Sequence, residues 1–299
     1  MKFENQKKSF PRAVLNGAFC FILCAPCVAQ QSAVLNVQPA SRSQWNSYQL
    51  YQPEITRSTV VDPSTSELKY NHCSTIAFFD GRWVCLWNAN KVYAESQPGQ
   101  TIYMSTSADA KTWSAPEEAF KSAGRSENPV PCSLVQWQPT TIVHENELWC
   151  FWSQLSFKRS QHDEFYGTYF SRLSKADGRW INRRLLWNGS PDAHFDGKDW
   201  RMLPMQNPVK LSTGRYLVPV ILIGPKLADA PTTEVWKNEK RASVIYSDDA
   251  GATWHYSEGT TPDGQRWIPW EPTVWELPGG KVAMFCRNND QRIKSQCGP

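Results

Sequence analysis

This sequence carries little net charge. Its 299 residues carry a formal charge of +4, and the first 29 contribute +3 of it through Lys2, Lys7, Lys8, Arg12 and Glu4. The rest of the chain therefore has a charge of 4 − 3 = +1. Binding to nucleic acid depends on a concentrated positive surface, so we expect no nucleic-acid partner.

Metal-binding motifs are absent after residue 29. Six of the nine cysteines lie there: Cys73, Cys85, Cys132, Cys150, Cys286 and Cys297. They form no Cys-x-x-Cys pair and no histidine cluster accompanies them, so we predict neither a metal site nor a cofactor. Their spacing differs from that of a small disulfide-stapled domain and leaves any pairing undetermined. Cys85 and Cys150 occupy matching places in two similar strands, which is more typical of buried contacts than of chemistry.

Apolar runs long enough to cross a bilayer are missing as well. The apolar stretch 13–25 follows a positively charged start and precedes Cys27-Val28-Ala29, whose small residues suit signal peptidase. We therefore predict a signal peptide over residues 1–29, cleaved after Ala29. The mature protein would be secreted or periplasmic and free of the membrane. An uncleaved membrane anchor is the alternative.

What the sequence does contain is a repeat. Residues 30–70 are a polar leader, with short strands predicted at 49–51 and 58–61, and residues 71–299 then repeat one pattern of strands and turns. If Ile76, Ile142, Val209 and Val274 are equivalent, the steps between them are 66, 67 and 65 residues. The predicted first strands are 74–78, 139–143, 207–211 and 272–276. Repeated units of four antiparallel strands predict an all-β fold, a β-propeller, whereas a β-sandwich would not repeat its own landmarks.

The turn after each third strand has a pattern of its own. The fullest copy runs from Ser247 through Asp249 and Gly251 to Trp254. Its aspartate can accept hydrogen bonds from turn N–H groups, and its glycine can take φ > 0. Its tryptophan can bury about 150–250 Å² against a neighbouring sheet. The other two copies, one shorter and one degraded, contain Ser107, Asp109 and Trp113, and Asp177 and Trp180.

This hairpin resembles the Asp-box, or BNR repeat, of the sialidase (neuraminidase) superfamily. The resemblance implies a sialidase-type β-propeller of about six blades. Residues 71–299 hold about three and a half such units, so we expect a propeller that is truncated at its C-terminal end.

Residues that enter the first strands of a propeller gather at one mouth, where functional side chains are usually found. Here they include His72, Trp137 and Gln138. Amides and tryptophan suit a sugar ring because they offer directed hydrogen bonds and a flat apolar face. Arg201 could meet an acidic sugar. We therefore predict a glycan or oligosaccharide partner bound by these residues, although amides near turns are also ordinary turn chemistry.

The fourth unit carries a further resemblance. Its residues 271–287 look like the sialidase segment that holds the catalytic glutamate and one of three substrate-binding arginines. By position, Glu271 would be the base to a tyrosine nucleophile, and Arg287 would grip the substrate carboxylate through parallel N–H bonds. Two departures accompany the match. The stretch 71–74 stands where the family has Arg-Ile-Pro, and the stretch 88–101 contains Glu95 but no acid/base aspartate.

Three functions fit these patterns. The first is an exported, exo-sialidase-like glycoside hydrolase acting on a terminal, acidic sugar of a glycan, with Glu271 as its catalytic residue. The second is a non-catalytic glycan-binding propeller or an inactive fragment. The third is a glycan lyase on the same scaffold, with His72 as its acid or base.

Overall fold

The computed structural model describes residues 22–24, 55–95, 97, 99–120, 134–156, 167–176, 178–187, 200–226, 238–257, 259 and 269–288. Regular secondary structure in these ranges consists of sixteen β-strands arranged in four antiparallel sheets. None of the described residues forms a helix of the length and apolarity that a membrane span requires. The N-terminal residues predicted as a signal peptide, apart from 22–24, and the predicted strand at 49–51 lie outside these ranges.

The first two sheets are four-stranded meanders. Blade 1 consists of β2 (Tyr70–Phe79), β3 (Arg82–Asn90), β4 (Thr101–Ser107) and β5 (Glu117–Glu118), in that spatial order. Blade 2 consists of β6 (Leu134–His144), β7 (Glu147–Ser156), β8 (Gly167–Ser174) and β9 (Trp180–Trp187), again in order. The β2–β3 turn takes φ 49° at Asp80 and 74° at Gly81, as a two-residue hairpin turn requires.

The third and fourth sheets depart from the predicted strands in two places. Blade 3 consists of β10 (Arg201–Pro204), β11 (Val209–Lys210), β12 (Tyr216–Lys226), β13 (Asn238–Ser247) and β14 (His255–Tyr256). Its first strand is divided, because β10 and β11 both pair with β12, so the strand predicted at 207–211 is only partly correct. Blade 4 consists of β15 (Pro269–Glu276) and β16 (Val282–Asn288). β1 (Ile22–Cys24), which lies inside the predicted signal peptide, pairs with the outer edge of β16, and cleavage after Ala29 would remove it.

The core lies between the sheets. Leu86 and Ile102 of blade 1 pack against Trp152 and Tyr169 of blade 2. The other face of blade 2 presents Trp149 and Phe151 to an apolar cluster of blade 3. Leu217 and Val274 join blade 3 to blade 4. Because each sheet packs face to face against the next one in sequence order, the sheets are arranged as the blades of a propeller.

The Asp-box turns form as predicted in the two copies whose aspartate is described. Asp249 Oδ1 accepts hydrogen bonds from Ser247 Oγ and from the Thr253 amide, each at 2.8 Å. Asp109 Oδ1 likewise accepts from Ser107 Oγ at 3.0 Å and from the Thr112 amide at 2.8 Å. The pKa of Asp249 is lowered to about 2, first by the Thr253 hydroxyl and then by the Thr253 amide. The pKa of Asp109 is lowered to about 2, first by the Thr112 amide and then by the Lys111 amide. Asp177, of the third copy, lies outside the described residues.

Each Asp-box tryptophan packs against the element that precedes its blade. Trp254 meets Phe151 and Phe170 of blade 2 with ring centroids 5.0 and 5.6 Å apart. Trp180 meets Phe120 of blade 1 at 4.9 Å. Trp113, which has no preceding blade among the described residues, packs against the leader segment instead. The same turn therefore fastens blades 1, 2 and 3 to the element that precedes each of them.

The leader segment covers the free face of blade 1. Val60, Val61 and Leu68 pack against Cys85 and Trp87. Residues 58–61 make this contact without forming a strand, so the short strand predicted there was wrong. An apolar segment lying on a sheet face excludes water without needing a backbone ladder, which explains the difference.

Cys73, Cys85 and Cys150 are free thiols. Cys85 and Cys150 are buried at matching places in β3 and β7, inside apolar clusters, as their repeated position predicted. Cys73 and Cys286 are half-buried. Cys132 and Cys297 lie outside the described residues, so their pairing stays undetermined.

Candidate functional site

Three first strands share one backbone irregularity. Between His72 and Thr75, two residues of β2 face one residue of β3, and the same bulge occurs in β6 and in β15. The first bulged residue is left-handed each time, with φ 52° at Cys73, 46° at Gln138 and 49° at Glu271. Bulges redirect side chains next to binding sites, and a left-handed non-glycine residue carries strain that commonly accompanies function.

These bulges correct the predicted alignment of the repeats. They place Cys73, Gln138 and Glu271 at equivalent positions, with steps of 138 − 73 = 65 and 271 − 138 = 133 residues. Ile142 is then equivalent to Ala77 rather than to Ile76, which agrees with the inward packing of both residues. The predicted register was one residue out because sequence spacing alone does not reveal a bulge.

Hydrogen bonds tie the first strands together just beyond the bulges. Thr75 Oγ1 lies 2.8 Å from Thr141 Oγ1 and donates to Asn207 Oδ1 at 2.8 Å. The Thr141 amide donates to the same Asn207 oxygen at 3.0 Å. One residue from each of blades 1, 2 and 3 thus meets at a single point, which forms a polar floor beneath the mouth.

Glu271 and Arg287 form an ion pair at the mouth. Arg287 Nη1 lies 3.2 Å from Glu271 Oε1 and 3.4 Å from Oε2. The Glu271 side chain is 36% exposed and the Arg287 side chain is 56% exposed. An ion pair this exposed adds little to stability. The structure therefore brings together the two residues that the sequence resemblance singled out, and both can be reached from solvent.

Blade 1 contributes a second charged cluster to the mouth. His72 Nδ1 lies 3.0 Å from Glu95 Oε1 and 3.2 Å from the Cys73 sulfur. The Tyr70 ring stands edge-on to the His72 ring, with centroids 5.8 Å apart. The pKa of Tyr70 is raised by burial, by the charge of Glu95 and by a hydrogen bond to that carboxylate. Tyr70 therefore remains a neutral phenol beside this cluster.

The Cys73 thiol connects the two charged clusters. Its pKa is raised to about 12, first by burial, then by the negative charges of Glu95 and Glu271. Glu271 belongs to blade 4 and Cys73 to blade 1, and both occupy the left-handed bulge position of a first strand.

The remaining predicted binding residues lie at the same edge of the sheets. Gln138 Nε2 donates to the Met205 carbonyl oxygen at 3.3 Å and so joins blade 2 to blade 3. Trp137 is half-buried opposite Ser153 in the strand pair. Arg201 begins β10, and its charge, after the larger effect of burial, lowers the pKa of Lys240 to about 8.

A buried amide lies beside the blade 1 cluster. Asn88 is opposite His72 in the strand pair and has no exposed surface. Neither polar atom of its amide has a partner among the described residues. An unpaired buried polar group costs about 1–3 kcal/mol, so an added polar partner at this point would be stabilising.

Sequence reasoning missed Tyr70 and Cys73 and treated Glu95 only as a departure from the family pattern. The signal for Cys73 was its place one residue before the predicted first strand, which matches the place of Glu271. Among the described residues, no group of three or more His, Cys, Asp or Glu side chains could hold a metal ion. The arrangement can transfer protons and bind an anionic group.

Comparison with protein families gives one match. The family described as "BNR repeat-like domain" matches residues 81–298. No curated protein matches the chain.

Solved structures of sialidases have a similar fold. A Trypanosoma rangeli sialidase in complex with 2,3-difluorosialic acid has a TM-score of 0.54 and 21% identity, covering 74% of this chain and 35% of its own. A Hadza microbial sialidase has a TM-score of 0.56 and 16% identity, covering 73% of this chain and 42% of its own. The intramolecular trans-sialidase of Ruminococcus gnavus, in complex with oseltamivir carboxylate, has a TM-score of 0.50 and 12% identity, covering 77% of this chain and 68% of its own.

These likenesses concern the fold. This chain spans about a third of the length of the Trypanosoma rangeli enzyme. At identities of 12–21%, the similarity together with the four described sheets confirms an all-β, sialidase-type propeller, of which part is present.

Proposed function

Because the chain belongs to the BNR repeat-like domain family, we propose that it is an exported glycoside hydrolase that acts on a terminal, acidic sugar of a glycan. The observation that carries the proposal is the solvent-accessible pairing of Glu271 with Arg287 at the bulge of β15. Hydrolysis of a glycosidic bond needs an acidic and a basic group beside that bond, and Glu271 can supply the base. Export rests on the charge and apolar pattern of residues 1–29.

An acidic substrate is favoured by the positive charge at the mouth. Arg287 contacts Glu271 through one terminal nitrogen, so its remaining N–H groups can donate to a substrate carboxylate. A sialidase structure of similar fold contains 2,3-difluorosialic acid, which supports the same class of sugar. Trp137 and Gln138 would hold the ring of the sugar.

The test compares fluorogenic glycosides of an acidic and a neutral sugar, for example a sialoside and a galactoside carrying the same fluorophore. We expect the protein to release the fluorophore from the sialoside. Glu271→Gln should lower kcat by about 10²–10⁴-fold, the usual contribution of a general acid or base. Arg287→Lys should mainly raise KM for the acidic substrate, by about 10-fold or more.

The chain offers a matched control in a second ion pair. Arg215 bonds Asp248 through Nε–Oδ1 and Nη2–Oδ2 contacts of 2.6 and 2.8 Å, at the opposite edge of blade 3. Asp248→Asn and Arg215→Lys remove or weaken a comparable charge pair and should leave hydrolysis unchanged. If variants of both ion pairs lost hydrolysis equally, charge removal would be acting through folding, and the assignment of Glu271 would be refuted.

A non-catalytic glycan-binding propeller is the second candidate. It is favoured by the stretch 71–74, Asn-His-Cys-Ser, which stands where the family has Arg-Ile-Pro. Calorimetric titration of Glu271→Gln with a sialylated oligosaccharide distinguishes the two. Binding that survives the substitution, together with a wild-type protein that releases no sugar, would support the binder and contradict the hydrolase.

A further inference from the structure

We infer that His72 is the proton donor of this site and that Glu95 and Tyr70 are the residues that position it. The inference rests on the proposed function, since it assigns a role within the hydrolysis of a glycosidic bond. Both the acid/base aspartate and the first arginine that the family resemblance calls for are missing from blade 1. The structure shows a different set of side chains in that region, and they form a hydrogen-bonded chain.

Hydrogen bonding fixes the orientation of the His72 ring. Glu95 Oε1 lies 3.0 Å from Nδ1, so the carboxylate accepts the Nδ1 proton, and the neutral Cys73 thiol at 3.2 Å is a weaker neighbour of the same nitrogen. The Tyr70 ring stands edge-on to the His72 ring, with centroids 5.8 Å apart, and restricts its rotation. A histidine held through Nδ1 by a carboxylate presents Nε2 for proton transfer.

The Nε2 atom is available to a substrate. No partner of Nε2 lies among the described residues, and the His72 side chain is 54% exposed. The charged and titratable groups around the ring are Glu95 and Tyr70, the Cys73 thiol, and, across the opening, Glu271 with Arg287. Because β2 and β15 have the same bulge at the start of a first strand, a sugar held by Arg287 at this mouth would be within reach of both Glu271 and His72.

The proton balance of the step is simple. The bond between the anomeric carbon and the glycosidic oxygen breaks, its electron pair stays on that oxygen, and the oxygen takes the proton from Nε2. Water adds to the anomeric carbon, and Glu271 accepts the proton that the water loses. Solvent then returns a proton to His72 and removes one from Glu271. Water is the only co-reactant, and nothing is oxidised or reduced.

The test uses two substrates that differ in how much acid they need. A dinitrophenyl glycoside of the sugar that the wild-type protein hydrolyses has a leaving group that departs without a proton, whereas the natural glycan depends on one. His72→Asn should lower kcat on the glycan by about 10²–10⁴-fold and on the dinitrophenyl glycoside by less than about 10-fold. His255→Asn, at an exposed histidine of β14, is the control and should change neither rate.

Positioning by Glu95 is tested with the same pair of substrates. Glu95→Gln should lower kcat on the glycan more than on the dinitrophenyl glycoside, because only the glycan needs a correctly oriented proton donor. Glu95→Asp, which keeps the carboxylate, should restore most of the loss. The control Glu67→Gln removes an exposed partner of Lys91 and should change neither rate.

Failure of this inference can be told apart from failure of the proposed function. A wild-type protein without activity on either substrate would contradict the hydrolase itself. An active wild type whose His72→Asn variant loses both substrates equally, or neither, would refute His72 as the donor while leaving the hydrolase in place. Thermal unfolding of His72→Asn within a few degrees of wild type would exclude misfolding, and His72→Gln provides a second variant.

Discussion

Replacement of Gly251 by alanine tests whether the Asp-box turn fastens blade 3 to blade 2. Gly251 has φ +80°, and a Cβ built on it would lie 2.9 Å from the Cη2 atom of Trp149 and 3.3 Å from two further ring atoms. Trp149 is only 1% exposed and is held among Phe170, Tyr216 and Trp254. Its ring therefore has little room to retreat from an added methyl group.

Two effects contribute to the expected loss of stability. A left-handed conformation costs alanine about 1–2 kcal/mol, and overpacking of a well-filled core costs about 1–3 kcal/mol more. Gly251→Ala should therefore lower the free energy of unfolding by about 2–5 kcal/mol. Gly214→Ala isolates the first effect, because Gly214 has φ +90° and a Cβ added there would have no neighbour within 4 Å among the described residues.

Urea unfolding followed by tryptophan fluorescence measures both variants against the wild type. Gly251→Ala should lose more stability than Gly214→Ala by the overpacking contribution, about 1–3 kcal/mol. Combining Gly251→Ala with Trp149→Phe should recover part of that difference, because the smaller ring makes room for the methyl group. Equal losses in the two alanine variants would refute the contact between the turn and blade 2.

Three further perturbations follow from contacts described above. Asp249→Asn should destabilise the fold at pH 6. Because the pKa of Asp249 is depressed to about 2, the stabilisation by its carboxylate is present above the unfolded pKa of about 3.9 and is lost as the pH falls through about 2. The unfolding curves of the variant and the wild type should therefore converge in acid. Asn207→Ala leaves the buried Thr141 amide without its acceptor and should cost about 1–3 kcal/mol in urea unfolding. Glu271→Gln should speed alkylation of Cys73 by iodoacetamide at pH 8, measured by peptide mass spectrometry, because removing this charge lowers the pKa of the thiol.

Each of these has a definite contrary outcome. A stability difference for Asp249→Asn that persists unchanged from pH 6 to pH 2 would contradict the hydrogen bonds to its carboxylate. Wild-type stability of Asn207→Ala would contradict the polar floor beneath the mouth. For alkylation, Cys85 is the internal control, since the pKa of its thiol is raised by burial alone. Equal acceleration at Cys73 and Cys85 would mean that Glu271→Gln loosens the fold rather than removing a nearby charge.

The repeat and its turns could be predicted from the sequence because their causes are local. The Asp249 carboxylate accepts hydrogen bonds from amides at most four residues away. Trp254 follows directly after this turn, which directs its ring into a neighbouring sheet. Alternating apolar residues specified which strands pair. The proximity of Glu271 and Arg287 also follows from local structure, since both belong to one hairpin.

The rest depends on contacts between distant parts of the chain. Nothing near Glu95 in the sequence indicates that the residues after β3 fold back onto Tyr70 and His72. The left-handed residue at Cys73 was also not evident, because a bulge with a non-glycine residue has no residue signature. The leader segment was read as a strand at 58–61 because its apolar residues suit either a ladder or a covering contact.

The three left-handed bulges have the same backbone conformation but different side chains. The same distorted backbone presents a thiol at Cys73, an amide at Gln138 and a carboxylate at Glu271. In each case the neighbouring strand accommodates the distortion by placing one residue opposite two. Ligand preference in such a protein can therefore diverge through single substitutions at three corresponding positions while its architecture is inherited unchanged.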